Sequence, residues 1–121
     1  MPLSTLRILI VDDYAPLLYL KAILLRRAGA DVREAQFGKD ALRILQTEKV
    51  DVVLLDVNLP DISGVELRER MRADPATSAV PVIFTSASDH PSQLGPDDVF
   101  FQEPLNTVQL FEAIGKLVRR T

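Results

Sequence analysis

Short apolar runs of strand length alternate along the chain with longer segments in which apolar residues recur at helical spacing. RILIV at residues 7–11, VDVVLL at residues 50–55 and VPVIFT at residues 80–85 are rich in β-branched residues and bounded by polar ones. Such runs are typical of buried parallel strands. DVRE at residues 31–34 is a weaker run, and VFF at residues 99–101 is a fifth. The pattern predicts five strands.

The segments between the strands carry apolar stripes typical of helices that pack on a sheet. The inward-facing positions are predicted to be Leu17, Leu20, Leu24 and Ala28 in the first helix, Ala41, Leu42 and Leu45 in the second, Leu67 and Met71 in the third, and Leu110, Ile114 and Leu117 in the last. Asn106 is the predicted N-cap of the last helix.

Alternation of strands and helices defines the fold class. Parallel strands need helical crossovers, and the helices bury both faces of the sheet. We therefore expect a doubly wound α/β fold. Ligands of such folds bind outside the carboxyl ends of the strands, where the strand order reverses, so the residues at the strand ends matter most.

Composition narrows the function classes. The chain has 121 residues, 47% of them hydrophobic, which suits one domain spanning residues 1–121. A net charge of −3 without a basic stripe argues against direct nucleic-acid binding. The apolar runs are too short to span a membrane, and the chain lacks the layout of a signal peptide. With no cysteine either, a cytoplasmic location is the default expectation.

Acidic residues follow three of the strands. Asp12 and Asp13 end the first strand, Asp56 the third and Glu103 the fifth, while Thr85 ends the fourth. Four carboxylates at one rim repel one another, and a divalent cation with oxygen ligands, most naturally Mg²⁺, would compensate them. The alternative for the first pair is that one acid only caps the helix beginning near Pro16.

Several of these segments together resemble the receiver domain of bacterial two-component response regulators. They are ILIVDD, VDVVLLDVNLPDISG, VPVIFTSAS and a last strand followed by an acid and a proline. The resemblance covers essentially the whole chain. It implies a flavodoxin-like five-stranded parallel sheet of order 2-1-3-4-5, with Asp56 as the phosphoacceptor.

The resemblance also implies roles for the neighbours of Asp56. Mg²⁺ (or Mn²⁺) would be held by Asp12, Asp13, Asp56 and the backbone carbonyl of Asn58, and the phosphoryl group would come from a histidine kinase or a phosphotransfer protein. Thr85 would bond the phosphoryl group and act in the switch. Phe100 matches the aromatic switch position, although it could be a plain core residue.

Glu103 departs from the family pattern, which has a lysine before the proline after the last strand. Reversing this charge replaces attraction to the phosphoryl group with repulsion. Three interpretations stay open. Glu103 turns away and leaves a phosphorylatable receiver with a poor response, the domain has become a phosphorylation-independent interaction module, or Glu103 joins the acidic cluster.

A second departure lies between the fourth and fifth strands, where receivers have their fourth helix. The segment reads SASDHPSQLGPDD, and its two prolines and glycine predict a shortened or irregular helix. His90 in this segment is expected to be a bystander.

Partner surfaces are expected beside the acidic pair. Leu18, Tyr19, Ala22 and Ile23 lie off the predicted inward stripe of the first helix, which suggests an apolar partner surface. By resemblance, Ala15, Leu18, Pro104 and Leu105 would dock a kinase or phosphotransfer helix, and the same surface could serve a homodimer.

Other function classes fit less well. A degenerate pseudo-receiver is the main alternative. A magnesium-dependent phosphohydrolase would need an acid where Asn58 stands, and a flavin site would need a phosphate-binding loop in place of Asp12 and Asp13. The domain is expected to accept a phosphoryl group and help hydrolyse it rather than turn over a substrate, either alone or as part of a longer protein.

Overall fold

The computed structural model describes residues 3–87, 94–95 and 98–119 of the chain. Within them, strands and helices alternate as the hydrophobic pattern predicts up to β4, and β5 is the next element along the described residues. The elements are β1 (Arg7–Val11), α1 (Ala15–Arg27), β2 (Asp31–Ala35), α2 (Gly38–Thr47), β3 (Val52–Asp56), α3 (Gly64–Ala73), β4 (Val82–Ser86), β5 (Val99–Gln102) and α4 (Thr107–Arg119).

The five strands form one parallel sheet of order β2-β1-β3-β4-β5. This confirms the predicted flavodoxin-like topology. The strand order reverses between β1 and β3, so the carboxyl ends of these two strands flank the crevice where ligands of this fold class bind. In the register of β3 and β4, Asp56 lies opposite Thr85.

Two apolar layers cover the sheet, one on each face. Alternate strand residues such as Ile10 and Leu54 point toward α1 and α4, whereas Leu9 and Leu55 point toward α2 and α3. Four of the predicted inward residues of α3 and α4 are confirmed as buried: Leu67, Met71, Leu110 and Ile114. The fifth, Leu117, is only partly buried.

The predicted inward face of α1 is wrong at two of its four residues, although Ala28 is buried as predicted. Leu20 and Leu24, expected in the core, are 56% and 37% exposed. The buried residues of α1 are instead Leu18, Lys21, Ala22 and Leu25. The true face also has helical spacing, but a lysine stands in its middle. The all-apolar stripe one position away therefore looked better in the sequence than the face that the sheet covers.

Capping side chains explain where α3 and α4 begin. Asn106 Oδ1 accepts a hydrogen bond from Gln109 N at 3.0 Å, which confirms the predicted cap of α4. Ser63 caps α3 in the same way through Glu66 N at 3.1 Å. No helix among residues 3–87, 94–95 and 98–119 is long and apolar enough to cross a bilayer.

The connection between β4 and β5 is described only in part. The prediction of an irregular crossover falls mainly on residues 88–93 and 96–97, which lie outside the described residues, and so does His90. Leu94 is buried in the apolar layer of α2 and α3. The Glu103–Pro104 peptide bond, just after β5, is cis.

Candidate functional site

Three carboxylates meet at the carboxyl edge of the sheet. Oxygen atoms of Asp12, Asp13 and Asp56 lie within 4.8 Å of one another. Asp12 is fully buried, Asp56 is half-buried and Asp13 is exposed, so the cluster opens to solvent on one side. A set of closely spaced carboxylate oxygens is the donor chemistry that a hard divalent cation prefers. The residues present therefore fit Mg²⁺.

Protein contacts hold Asp12 in place. Its Oδ1 accepts a hydrogen bond from Tyr14 N at 2.9 Å, and its Oδ2 accepts one from Lys21 Nζ at 2.7 Å. Tyr14 itself occupies the N-cap position of α1, and its side chain makes no capping hydrogen bond. Neither acid is thus the N-cap residue of α1, and Asp12 does more than cap a helix because it also pairs with Lys21.

Asp56 ends β3, and its carboxylate faces the cluster. Oδ1 accepts a hydrogen bond from Asn58 N at 2.9 Å. Burial raises the pKa of Asp56 to about 6, and the negative charges of Asp12 and Asp13 add to the rise, while the Asn58 N–H and the ammonium of Lys21 oppose it. With that pKa the carboxylate is still mainly ionised at neutral pH.

The loop after β3 is packed tightly against the strand end. Val57 N donates to Thr85 O at 3.0 Å, and Gly64 N donates to Val57 O at 2.8 Å. A Cβ at Gly64 would lie 2.5 Å from the carbonyl oxygen of Asp56. Glycine at this position therefore allows α3 to begin directly behind Asp56.

The two residues predicted to act in the switch, Thr85 and Phe100, lie on β4 and β5. Thr85 is fully buried, and its Oγ1 accepts a hydrogen bond from Lys21 Nζ at 3.3 Å. Phe100 is half-buried, lies opposite Phe84 in the register of the two strands and packs in the apolar layer of α2 and α3. Its role as an aromatic switch stays a prediction.

Glu103 does not turn to solvent. Its side chain is only 8% exposed, and Oε1 accepts a hydrogen bond from Lys21 Nζ at 2.6 Å. Lys21 is itself 5% exposed. Sequence reasoning missed Lys21, because a lysine on a helix is usually solvated. The available signal was the excess of acids at this edge, which requires a cation from some element.

A second missed ion pair lies beside β5. Arg68 on α3 donates to Asp98, and its guanidinium lies 5.0 Å from the centre of the Phe84 ring. The Arg68 guanidinium lowers the pKa of Asp98, and Gly95 N donates a further hydrogen bond to that carboxylate. The pair joins α3 to the start of β5.

The predicted docking flank is present in part. Ala15 and Pro104 are exposed and Leu105 is half-buried, but Leu18 is buried against the sheet. Tyr19 is exposed, as predicted, whereas Ala22 is fully buried. Leu18 and Ala22 therefore belong to the core, because α1 is rotated relative to the predicted stripe.

The family model described as "Response regulator receiver domain" matches residues 8–95 of the chain. That match covers β1 to β4 and all the acids of the cluster. The chain belongs to the response regulator receiver domain family.

The sequence of this receiver domain is similar to those of several bacterial proteins. It is 33% identical to the phosphate regulon transcriptional regulatory protein PhoB of Pseudomonas aeruginosa in an alignment of 120 positions that covers 94% of this chain and 52% of that protein. It is 37% identical to protein PilH of the same organism over 83 residues, 69% of either chain. The receiver domain thus spans about half the length of PhoB.

Solved structures agree with the family. A putative response regulator from Chloroflexus aurantiacus superposes with a TM-score of 0.86 at 29% identity, covering 94% of this chain and 98% of that one. A CheY-like receiver domain protein from Methanospirillum hungatei superposes with a TM-score of 0.85 at 26% identity, covering 97% and 96%. Essentially the whole receiver fold is therefore shared with these proteins.

Proposed function

We propose that this receiver domain takes a phosphoryl group onto Asp56 from a histidine kinase or a phosphotransfer protein. The observation that carries the proposal is the cluster of Asp12, Asp13 and Asp56 at the edge where the strand order reverses. Asp56 is the half-buried member of the cluster and lies opposite Thr85. A carboxylate that is ionised at neutral pH and partly open to solvent is a suitable nucleophile.

Mg²⁺ (or Mn²⁺) is the proposed cofactor. Asp12, Asp13, Asp56 and the backbone carbonyl of Asn58 would hold the ion, which would offset the negative charge of the entering group. The receiver domain of a Pseudomonas aeruginosa sensor histidine kinase, 23% identical to this chain, has a magnesium ion coordinated in its active site cleft. The support within this chain is its own set of oxygen donors.

The transfer step makes one bond and breaks one. A carboxylate oxygen of Asp56 attacks the phosphorus of a phosphoimidazole, a new P–O bond forms and the P–N bond breaks. The electron pair of the P–N bond stays on the imidazole, which leaves as a neutral base when its other nitrogen carries a proton. Because Asp56 is already ionised at neutral pH, no base is needed to activate it.

Thr85 and Phe100 are proposed to carry the response. The hydroxyl of Thr85 would donate to a phosphoryl oxygen on Asp56, which lies opposite it in the sheet. Phe100 would then change rotamer and so alter the surface that a partner protein contacts. Ala15, Pro104 and Leu105 are proposed to contact the phosphodonor, or a second copy of the domain, because they flank the acidic cluster and keep exposed apolar surface.

Intact mass measured after incubation with Mg²⁺ and acetyl phosphate tests the proposal. We expect one phosphoryl adduct on the parent chain and none on Asp56→Asn. Asp40→Asn is the matched control, because Asp40 pairs with Arg43 on α2, and it should be phosphorylated like the parent. An adduct that persists on Asp56→Asn, or an unmodified parent chain, would contradict the proposal.

A further inference from the structure

Lys21 reaches from α1 to the edge of the sheet and contacts the ends of three strands. Its Nζ donates to Asp12 Oδ2 after β1, to Thr85 Oγ1 on β4 and to Glu103 Oε1 after β5. An ammonium group has three donors, and all three are used. A buried charge persists only with such compensation. The contacts therefore fix this lysine inside the acidic site.

Lys21 offsets part of the negative charge of this acidic site. The side chains of Asp12 and Glu103 are both nearly buried. Among the residues that the structure describes, Lys21 provides the one ammonium group that contacts both of them. Lys21 shares its single positive charge between these two acids, which partly offsets the negative charge of Glu103. The acid that stands where receivers carry a lysine is thus not an uncompensated negative charge facing the phosphoryl group.

We propose that Lys21 is the side-chain cation of the phosphoacceptor site and that Glu103 is the positioning residue that holds its ammonium group there. The inference rests on the proposed function of Asp56. In this arrangement the lysine and the acid have exchanged places relative to the usual receiver pattern. A positive charge is kept at the site, but α1 supplies it instead of the segment after β5.

The geometry gives Lys21 a route to the phosphoryl group. Its contact with Thr85 is 3.3 Å long, the loosest of the three, and Thr85 lies opposite Asp56 in the sheet. A phosphoryl group on Asp56 would offer oxygens that accept from Lys21 more strongly than a neutral hydroxyl does.

The proposed exchange can be tested by returning the lysine to position 103 and removing it from position 21. The variants are Lys21→Met, the double variant Lys21→Met with Glu103→Lys, and Lys49→Met as the control at an exposed lysine. We expect Lys21→Met to slow phosphorylation by acetyl phosphate about tenfold or more. The double variant should recover to within a few-fold of the parent rate, and Lys49→Met should match the parent.

Mg²⁺ affinity, measured by calorimetry without a phosphodonor, separates a charge role from simple damage. Removing the Lys21 charge should tighten Mg²⁺ binding several-fold, because a cation no longer competes beside Asp12. Glu103→Gln and the double variant each leave the pair one unit more positive than the parent, so both should bind Mg²⁺ more weakly. Misfolding would weaken both Mg²⁺ binding and phosphorylation.

Slower phosphorylation together with tighter Mg²⁺ binding in Lys21→Met, and recovery in the double variant, would support the exchange. A Lys21→Met variant that is phosphorylated at the parent rate, or one that loses Mg²⁺ affinity as well, would overturn it. A parent chain without any adduct would overturn the proposed function instead. In that event, equal Mg²⁺ affinities of the parent and Lys21→Met would overturn the inference independently.

Discussion

Lys21 Nζ lies 2.6 Å from Glu103 Oε1, although the two residues are 82 positions apart in the sequence. The contact ties α1 to the segment after β5, at the opposite end of the chain. Both side chains are nearly buried, so each needs the other as a counter-charge. The pair therefore couples the stability of the fold to the electrostatics of the acceptor site.

Truncating Lys21 alone should cost more than truncating Lys21 and Glu103 together. We expect Lys21→Met to lower the free energy of unfolding by about 3 kcal/mol, because Asp12 and Glu103 would both lose their cation. Glu103→Gln should cost less, since Asp12 still pairs with Lys21. Urea denaturation without metal should show that adding Glu103→Gln to Lys21→Met restores part of the loss. Strictly additive effects would mean that the pair is not coupled.

Asp56→Asn should stabilise the metal-free protein at pH 7. The folded state raises the pKa of Asp56 to about 6 from 3.8, so it binds more protons than the unfolded state between those values, and stability falls as the pH rises through that window. At pH 7 the penalty is about 1 to 2 kcal/mol after allowance for solvent near the half-buried carboxylate. Thermal denaturation from pH 3.5 to 7.5 should show the gain of Asp56→Asn shrinking toward acid pH. A gain independent of pH would rule out ionisation of Asp56 as its cause.

Asp98→Asn should destabilise the fold at neutral pH by about 2 kcal/mol, since it breaks a largely buried pair with Arg68. The pKa of Asp98 is lowered in the folded state, so its contribution is complete above the unfolded pKa and is lost as the pH falls through the folded one. Denaturation curves of the variant and the parent should therefore converge at acid pH.

The control for Asp98 is Asp31→Asn. Asp31 pairs with Arg7 and Arg33 but is exposed, so solvent screens the pair and a much smaller change is expected. An equally large loss in Asp31→Asn would show that burial does not set the strength of the Asp98 pair.

Gly64→Ala should disturb the acceptor strand. Its Cβ would lie 2.5 Å from the Asp56 carbonyl oxygen, so the start of α3 or the end of β3 must shift. We expect a loss of about 2 kcal/mol in stability and slower phosphorylation of Asp56. Gly95→Ala is the control, because the nearest atom to its added Cβ would be Asp98 Oδ2 at 3.7 Å, an ordinary contact. If the two variants behave alike, the close approach at Gly64 does not matter.

Most of the fold could be predicted from local sequence. The strands β1, β3 and β4 are mostly buried, so they appear as continuous apolar runs whose positions need no tertiary information. The end of each run marks the edge of the sheet, and this is why Asp12, Asp13, Asp56, Thr85 and Glu103 could be assigned to one rim. The boundaries of β3 and β4 still shifted by one or two residues from the predicted ones.

The partners of those residues could not be predicted in the same way. Lys21 and Arg68 both look like solvated helix residues, and each is buried because an acid from a distant segment lies against it. The sequence also favoured the wrong face of α1, because hydrophobic periodicity scores a lysine as polar wherever it stands.

The sequence by itself thus determined the strands, the topology class and the acidic rim, since these depend on local hydrophobicity and on where each strand ends. Only the tertiary structure decided which face of α1 is buried and that Glu103 pairs with Lys21. Both depend on charge compensation between segments as far apart as Lys21 and Glu103, and burial makes such a pairing necessary without any mark in the local pattern.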